Sequence, residues 1–265
     1  FEVAPAVAVT FGNALSRSSV ADSLCGYSYA ATTASFTVGS LAPAALAGMA
    51  ATGNGVPPSS GVQLINNLSP GLVLRDLVSL SPSTFTQDFN LDGALCLRNL
   101  LTGSDAKALA LQQGIGETLR NGNLQRKPAI IVHGRADALI PVNHSSRPYT
   151  ALNKRVEGRH SQLSYIEVTN AQHFDTFIGL PTLLGGYDTR FIPLHVYLNR
   201  ALDAMYAHLR HGQPLPDSQV VRTVPRGGVA GAAPAITADN VPPIARHPAA
   251  GDAIRMHGNT LVVPD

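Results

Sequence analysis

The pattern of apolar positions along the chain changes near residue 127. Before it, apolar residues come in short helical patterns broken by turn residues: "SRSSVADSLC", "LAPAALAGMAA", "SSGVQLINNL", "LDGALCLRNLL" and the longer "SDAKALALQQGIGETLRNG". The last begins on Ser/Asp and stops at Gly, as helix ends do. No run of strands with period-two alternation and no internal repeat stands out here. Residues 1–126 therefore read as an irregular, largely helical cap or lid region.

From Pro128 onward, "AIIV" and "LSYIEV" are short apolar, β-branched runs bounded by turns, the pattern of buried strands. Between them "NHSSRPYTALNKRVEG" has helical character. After them "PLHVYLNRALDAMYAHLRHG" places Leu194, Tyr197, Leu198, Ala201, Leu202, Met205 and Leu209 on one face, with proline near its start and glycine after its end. Strand, helix, strand, helix over residues 127–211 predicts the C-terminal part of an α/β sheet. Beyond Gly212 proline and glycine are too dense for helices. Residues 212–265 read as an extended Pro/Gly-rich arm, docked through "SQVVRTV" and "NTLVVPD".

Composition narrows the classes. Hydrophobic residues make up 45% of the 265 and charged residues 14%, a balance that excludes disorder of the whole chain. The 19 Lys+Arg and 17 Asp+Glu are scattered without a basic run, so no nucleic-acid partner is expected. The longest apolar stretches, such as "SLAPAALAGMAAT", contain proline and fall short of the roughly 20 residues of a membrane span. No membrane partner is expected. The opening "FEVAPAVAVTFGN" has neither an initiating Met nor a basic leader region, as expected of a mature or truncated piece. Cys25 and Cys96 fit no zinc spacing; they read either as one disulfide of an exported protein or as two buried thiols.

Two ionisable residues stand where chemistry is expected. Asp137 follows the first predicted strand and His173, in "VTNAQHFD", follows the second, on the loops where open α/β sheets put functional groups. A carboxylate there can accept the imidazole Nδ1–H and fix its tautomer while Nε2 acts as base. Acid before histidine is also the chain order of these two triad members in α/β-hydrolases. Singly, each has a plainer role, a loop Asp bonding backbone N–H groups and a His finishing a strand; the paired placement favours chemistry. The nucleophile is missing. No G-x-S-x-G occurs, and Ser40 in "VGSLAP" and Ser28 in "GYSYA" lack the strand and glycines of a nucleophile elbow.

The other histidines read as supporting or packing groups: His133 at the end of the first strand, His195 and His208 on the amphipathic helix, His160 in a polar loop. None pairs at a metal spacing. In "DFNLDG", Asp88, Asn90 and Asp92 precede Gly93 like the first half of a calcium loop. The twelfth position, however, is Asn99 rather than a bidentate carboxylate, and Asp92 reads as a cap on the helix "ALCLRNLL". Neither a metal nor a cofactor is expected.

The stretches "SPSTFTQDFNLDGALCLRNLLTG", "PAIIVHGRADALIPVNHSSRPY", "NAQHFD", "GYDTRFIPLHVYLNRALDAMYAHL" and "LPDSQVVRTVPRGG" together resemble the C-terminal part of the bacterial D-3-hydroxybutyrate-oligomer hydrolases, from Ser81 onward. The resemblance implies an α/β-hydrolase sheet and a secreted or periplasmic serine esterase without cofactors. Such an enzyme cuts soluble 3-hydroxybutyrate oligomers to monomers in polyhydroxybutyrate degradation. It further implies Asp137 in "GRADALIP" as the acid, His173 in "NAQHFD" as the base, and a serine upstream of the region resembled. The chain is then expected to be a fragment, inactive alone, whose partners are ester oligomers and the N-terminal remainder of the same protein. Two other classes compete: a hydrolase of other esters with the same Asp–His pair, and a calcium or binding module built on "DFNLDG".

Overall fold

The computed structural model describes residues 3–32, 37–45, 62–89 and 91–265. They form two compact units, Phe1–Leu119 and Arg120–Asp265.

In the first unit, helix α1 (Val3–Leu15) precedes strands β1 (Tyr27–Thr32), β2 (Val38–Gly39), β3 (Gln63–Asn66) and β4 (Leu74–Arg75). Helices α2 (Leu91–Thr102) and α3 (Ala106–Thr118) follow. The strands make an antiparallel sheet in the order β2-β1-β3-β4. On β1 every second side chain faces the core: Tyr27 and Tyr29 pack with Ala6, Val9, Val62 and Leu64. Gly93 on α2 makes room for this, since a Cβ there would lie 2.1 Å from the Tyr27 ring. Asp105 caps α3, its carboxylate accepting the N–H groups of Lys107 and Ala108.

The expectation of a largely helical layer therefore needs correction. "LDGALCLRNLL" and "SDAKALALQQGIGETLRNG" do contain helices, but "SSGVQLINNL" contains strand β3, and "SRSSVADSLC" forms short 3-10 turns at Val20–Asp22 and Leu24–Gly26. Strands this short, built partly from Ser28, Ala30 and Ala31, are too brief for their alternation to register. "LAPAALAGMAA" lies for most of its length outside the described residues. Asp92 stands inside the first turn of α2 rather than before it, and its carboxylate accepts from the Ser81 hydroxyl and the Ser83 N–H. Asp88 accepts from the hydroxyls of Thr84 and Thr86. Asn90 lies outside the described residues, so the "DFNLDG" motif is visible only in part.

Cys25 and Cys96 are joined in a disulfide, 71 residues apart in sequence and 5.5 Å between Cα atoms. It ties the turn before β1 to α2.

The second unit is layered. Strands β5 (Ala129–Gly134), β6 (Leu163–Val168) and β7 (Gln219–Val221) form a parallel sheet in the order β5-β6-β7. Helices α4 (Ser146–Glu157), α5 (Tyr187–Arg190) and α6 (His195–His211) connect them, and a hairpin of β8 (Arg255–His257) and β9 (Thr260–Val262) ends the chain. The runs "AIIV" and "SYIEV" are thus neighbouring parallel strands. β6 is buried along its whole length, as a strand covered on both faces must be. One face carries Ile166 and Val168 against Ile192, Tyr197 and Val241; the other carries Tyr165 against Val220 and Ile254. β5 is only half-buried for most of its length and, among the described residues, pairs on one side alone.

Two expectations shift here. The arm beyond Gly212 does more than dock, because Gln219–Val221 enters the sheet as its third strand. On α6, Tyr197 and Ala201 face the core, whereas Leu198, Leu202 and Leu209 of the same apolar arc are exposed by 52%, 59% and 70%. No helix among the described residues is long and apolar enough to cross a membrane.

The 71-residue loop closed by the disulfide removes chain entropy worth about 4 kcal/mol from the unfolded state. Cys25→Ser with Cys96→Ser should lower the unfolding free energy of this unit by about that much. Denaturant titration of the protein checks it, and an unchanged midpoint would contradict it.

Candidate active site

Backbone contacts just past the ends of β5 and β6 fix the site. The register sets His133 opposite Glu167 and Gly134 opposite Val168, so both strands stop level. The two following loops then lock together: Arg135 N–H donates to Val168 O at 2.7 Å and Ala136 N–H to Ala171 O at 3.0 Å. A Cβ on Gly134 would sit 2.5 Å from Ala171 O, so only glycine permits this approach. Asn170 turns the second loop with φ 52°, a left-handed conformation that Asn tolerates. Its side-chain amide donates to Thr223 O at 2.9 Å and its carbonyl accepts Ile192 N–H at 2.8 Å.

The consequence is that Asp137 and His173 meet. His173 Nδ1 lies 2.9 Å from Asp137 Oδ2, while Oδ1 accepts the N–H groups of Leu139 and Ile140 at 2.9 and 2.8 Å. Asp137 is 7% exposed. Burial works against its charge, but the N–H of Ile140, the imidazole of His173 and the N–H of Leu139 outweigh it and hold the pKa below the ordinary carboxylate value. The carboxylate fixes the Nδ1–H tautomer, which leaves Nε2 as the basic atom. Among the described residues Nε2 has no hydrogen-bond partner.

His173 lines an open cleft of about 370 Å³ with Val132, Phe174, Asp175, Thr176, Leu194, His195 and Leu198. Phe174 stacks edge-on to the imidazole at 4.5 Å between ring centroids. Asp175 caps α6, accepting the N–H groups of Leu194 and His195 at 2.8 and 2.7 Å and the His195 ring Nδ1 at 2.8 Å. His195, expected to be a solvated or packing residue, thus stands on the cleft wall. The remaining candidates fall elsewhere. Ser28 lies in β1, accepting from the Asn67 amide, and Ser40 follows β2; neither hydroxyl bonds a histidine among the described residues. His208 Nδ1 contacts Gln213 O, and His160 contacts Arg159.

Behind Asp137 lies a polar chain that the sequence did not disclose. His133 Nε2 is 3.0 Å from Ile140 O and 3.3 Å from Asp137 Oδ2, and its Nδ1 is 2.7 Å from Ser146 Oγ. Ser146 Oγ is 2.9 Å from the Tyr165 hydroxyl, which donates to Glu167 Oε2 at 2.7 Å. Glu167 is fully buried. It accepts from Arg147 Nε and Nη2 at 2.9 and 2.6 Å and from Arg135 Nε, and Arg135 Nη2 donates to Pro264 O at 2.7 Å. Burial raises the Glu167 pKa, yet hydrogen bonds from Arg147, Tyr165 and Arg135 bring it below the ordinary value. The one signal in the sequence was a glutamate inside the apolar run "SYIEV", since a charge in a buried strand demands partners.

Layered α/β architecture with an Asp–His pair at the ends of adjacent parallel strands defines the class: an α/β protein that presents an oriented imidazole to an open cleft. The family model described as 3HB-oligomer hydrolase matches residues 1–265, and the chain belongs to that family. It is 65% identical over its whole length to a D-(-)-3-hydroxybutyrate oligomer hydrolase of Paracidovorax citrulli, covering 37% of that protein. It is 59% identical, again over its whole length, to the protein of that name from Cupriavidus necator, of which it also covers 37%. A third relative of the same name, from Ralstonia pickettii, is 62% identical over 97% of this chain and 34% of its own length. The chain thus spans little more than a third of the curated relatives it matches. No solved structure matches it.

Depressed carboxyl pKa values carry a sign. The interactions of Asp137 and Glu167 stabilise the folded unit in full above the ordinary carboxylate range, about pH 4, and are lost as pH falls through the lower folded values. Asp137→Asn and Glu167→Gln should each flatten the acid limb of melting temperature against pH. An acid limb as steep as the wild type's in both variants would contradict this.

Proposed function

We propose that this chain supplies the acid and base of a serine esterase that hydrolyses soluble D-3-hydroxybutyrate oligomers to monomers. The carrying observation is the 2.9 Å contact between His173 Nδ1 and Asp137 Oδ2 at the mouth of a half-apolar cleft. In this reading β5 and β6 are late strands of an α/β-hydrolase sheet. His173 Nε2 takes the proton of a serine hydroxyl as its oxygen attacks the ester carbonyl, and the imidazolium formed is stabilised by Asp137. Collapse of the tetrahedral intermediate passes that proton to the leaving 3-hydroxyl oxygen. Nε2 then deprotonates a water that attacks the acyl carbonyl, and the imidazolium returns that proton to the serine oxygen as the acid leaves. Val132, Phe174, Leu194 and Leu198 give the cleft an apolar wall suited to a methyl-bearing chain.

The serine and the oxyanion donors belong, in this proposal, to a part of the protein outside these residues. Support comes from the missing elbow motif, the edge of β5 that is unpaired among the described residues, and the exposed Leu198, Leu202 and Leu209 on α6. An added parallel strand would satisfy the open edge. The disulfide of the first unit supports an exported, secreted or periplasmic location.

In the full-length protein, His173→Ala should lower kcat on hydroxybutyrate oligomers by on the order of 10⁴ or more, as loss of a triad base does. Turnover within tenfold of wild type would reject the assignment. The 265-residue chain alone should take no stoichiometric label from an organophosphonate ester. A labelled serine within residues 1–265 would show that the nucleophile lies here.

A further inference from the structure

His133 touches three different groups, and the hydrogens available between them can be counted. Glu167, ionised between Arg135 and Arg147, offers no proton, so the 2.7 Å contact with it uses the single hydroxyl hydrogen of Tyr165. Burial above all pushes the Tyr165 hydroxyl far up, so it keeps that hydrogen. The Tyr165 oxygen can then only accept, and the 2.9 Å contact with Ser146 must use the serine hydrogen. Ser146, its one hydrogen spent, can only accept at its 2.7 Å contact with His133, so His133 Nδ1 carries a hydrogen. On the other side of the ring Nε2 faces Ile140 O at 3.0 Å. A carbonyl has nothing to donate, so Nε2 carries a hydrogen as well. Turning the ring over would set carbon atoms against Ser146 and Ile140 at distances too short for them.

We infer that His133 is held as an imidazolium that donates from both ring nitrogens and serves as the positioning residue of the Asp137 carboxylate. The inference deepens, and rests on, the reading of Asp137 as the acid of the site. It also answers an electrostatic need. The side chain of Asp137 is 5% exposed, and a buried carboxylate requires a counter-charge. His173 Nδ1 meets one oxygen of that carboxylate at 2.9 Å. The His133 side chain, 13% exposed with Nε2 at 3.3 Å from Oδ2, supplies the charge. The groups around it alternate in sign: Arg135 and Arg147, then Glu167, then His133 across the neutral Tyr165 and Ser146, then Asp137.

The arrangement sets how strongly Asp137 pulls on a proton at His173. With a cation on its far side, the carboxylate stabilises the catalytic imidazolium less than an isolated carboxylate would. His173 therefore gives its proton up to the leaving oxygen more readily, and Asp137 stays ionised throughout. Glu167, through Tyr165 and Ser146, dictates the direction of the hydrogens without touching the reacting atoms.

The test is histidine-selective ¹⁵N NMR of the full-length protein at neutral pH, with His133→Gln identifying the resonances. Both His133 ring nitrogens should appear at protonated positions in the wild type. Tyr165→Phe keeps the ring but removes the acceptor of the Ser146 hydrogen, which can then turn to Nδ1; one His133 nitrogen should move to the unprotonated position. Ser146→Ala, which removes the Nδ1 acceptor itself, should do the same if Tyr165→Phe does not fold. With the cation gone, the acid limb of kcat/KM in Tyr165→Phe should move up by about one pH unit, the scale of a nearby charge. An unprotonated His133 nitrogen in the wild type overturns the inference while leaving the Asp137–His173 pair intact. Full turnover by His173→Ala would instead remove the triad reading, and the ¹⁵N result would stand apart from it.

Discussion

The site depends on how closely the backbone after β5 passes the backbone after β6. Two hydrogen bonds, Arg135 N–H to Val168 O and Ala136 N–H to Ala171 O, hold the loops together, and the missing side chain of Gly134 lets them touch. Without that contact the sheet would still form, since β5 and β6 pair along six residues. Asp137 and His173 would then end on separate loops. Fixed as they are, a carboxylate buried by one loop meets an imidazole presented by the other at 2.9 Å. This is preorganisation of the kind the proposed triad chemistry would use, because an imidazole so held need not be reoriented as charge develops.

That constraint has a cost that the surrounding structure offsets. A buried carboxylate is unfavourable unless hydrogen-bonded and balanced. Asp137 is met by two backbone N–H groups, by His173 and by the nearby ring of His133. The last of these leads through Ser146 and Tyr165 to Glu167, whose own charge is met by Arg135 and Arg147. Arg135 also holds the carbonyl of Pro264, so residues near the end of the chain complete the network. The Pro/Gly-rich arm thereby acts in two places, as strand β7 in the sheet and as a contact of the arginine behind the site.

Much of this second unit was legible because each element is strong alone. "AIIV" and "LSYIEV" are apolar, β-branched and bounded by turns, and an acid and a histidine follow them in the order that triads use. What stayed hidden depended on tertiary partners. His133 looks like any strand-end histidine until Ile140 O and Ser146 fix its ring. The apolar arc of α6 was visible, but periodicity cannot say which part of a wide arc meets the sheet; Tyr197 and Ala201 do, while Leu198 and Leu202 do not. The sheet of the first unit escaped because its strands are two to six residues long, and a stretch of four, such as "QLIN", matches a helical turn as well as a strand. The pairing of Cys25 with Cys96 could not be decided from two cysteines without knowing that the turn before β1 packs on α2.

The central claim is that His173, oriented by Asp137, serves a serine carried elsewhere in the same protein. A crystal structure of the full-length protein with its serine phosphonylated tests it most directly. The account predicts His173 Nε2 within hydrogen-bonding reach of the adduct oxygen, roughly 2.6–3.2 Å, with a further parallel strand on the edge of β5 that is unpaired among the described residues. An adduct on a serine remote from His173, with the Asp137–His173 pair facing away from it, would contradict the account.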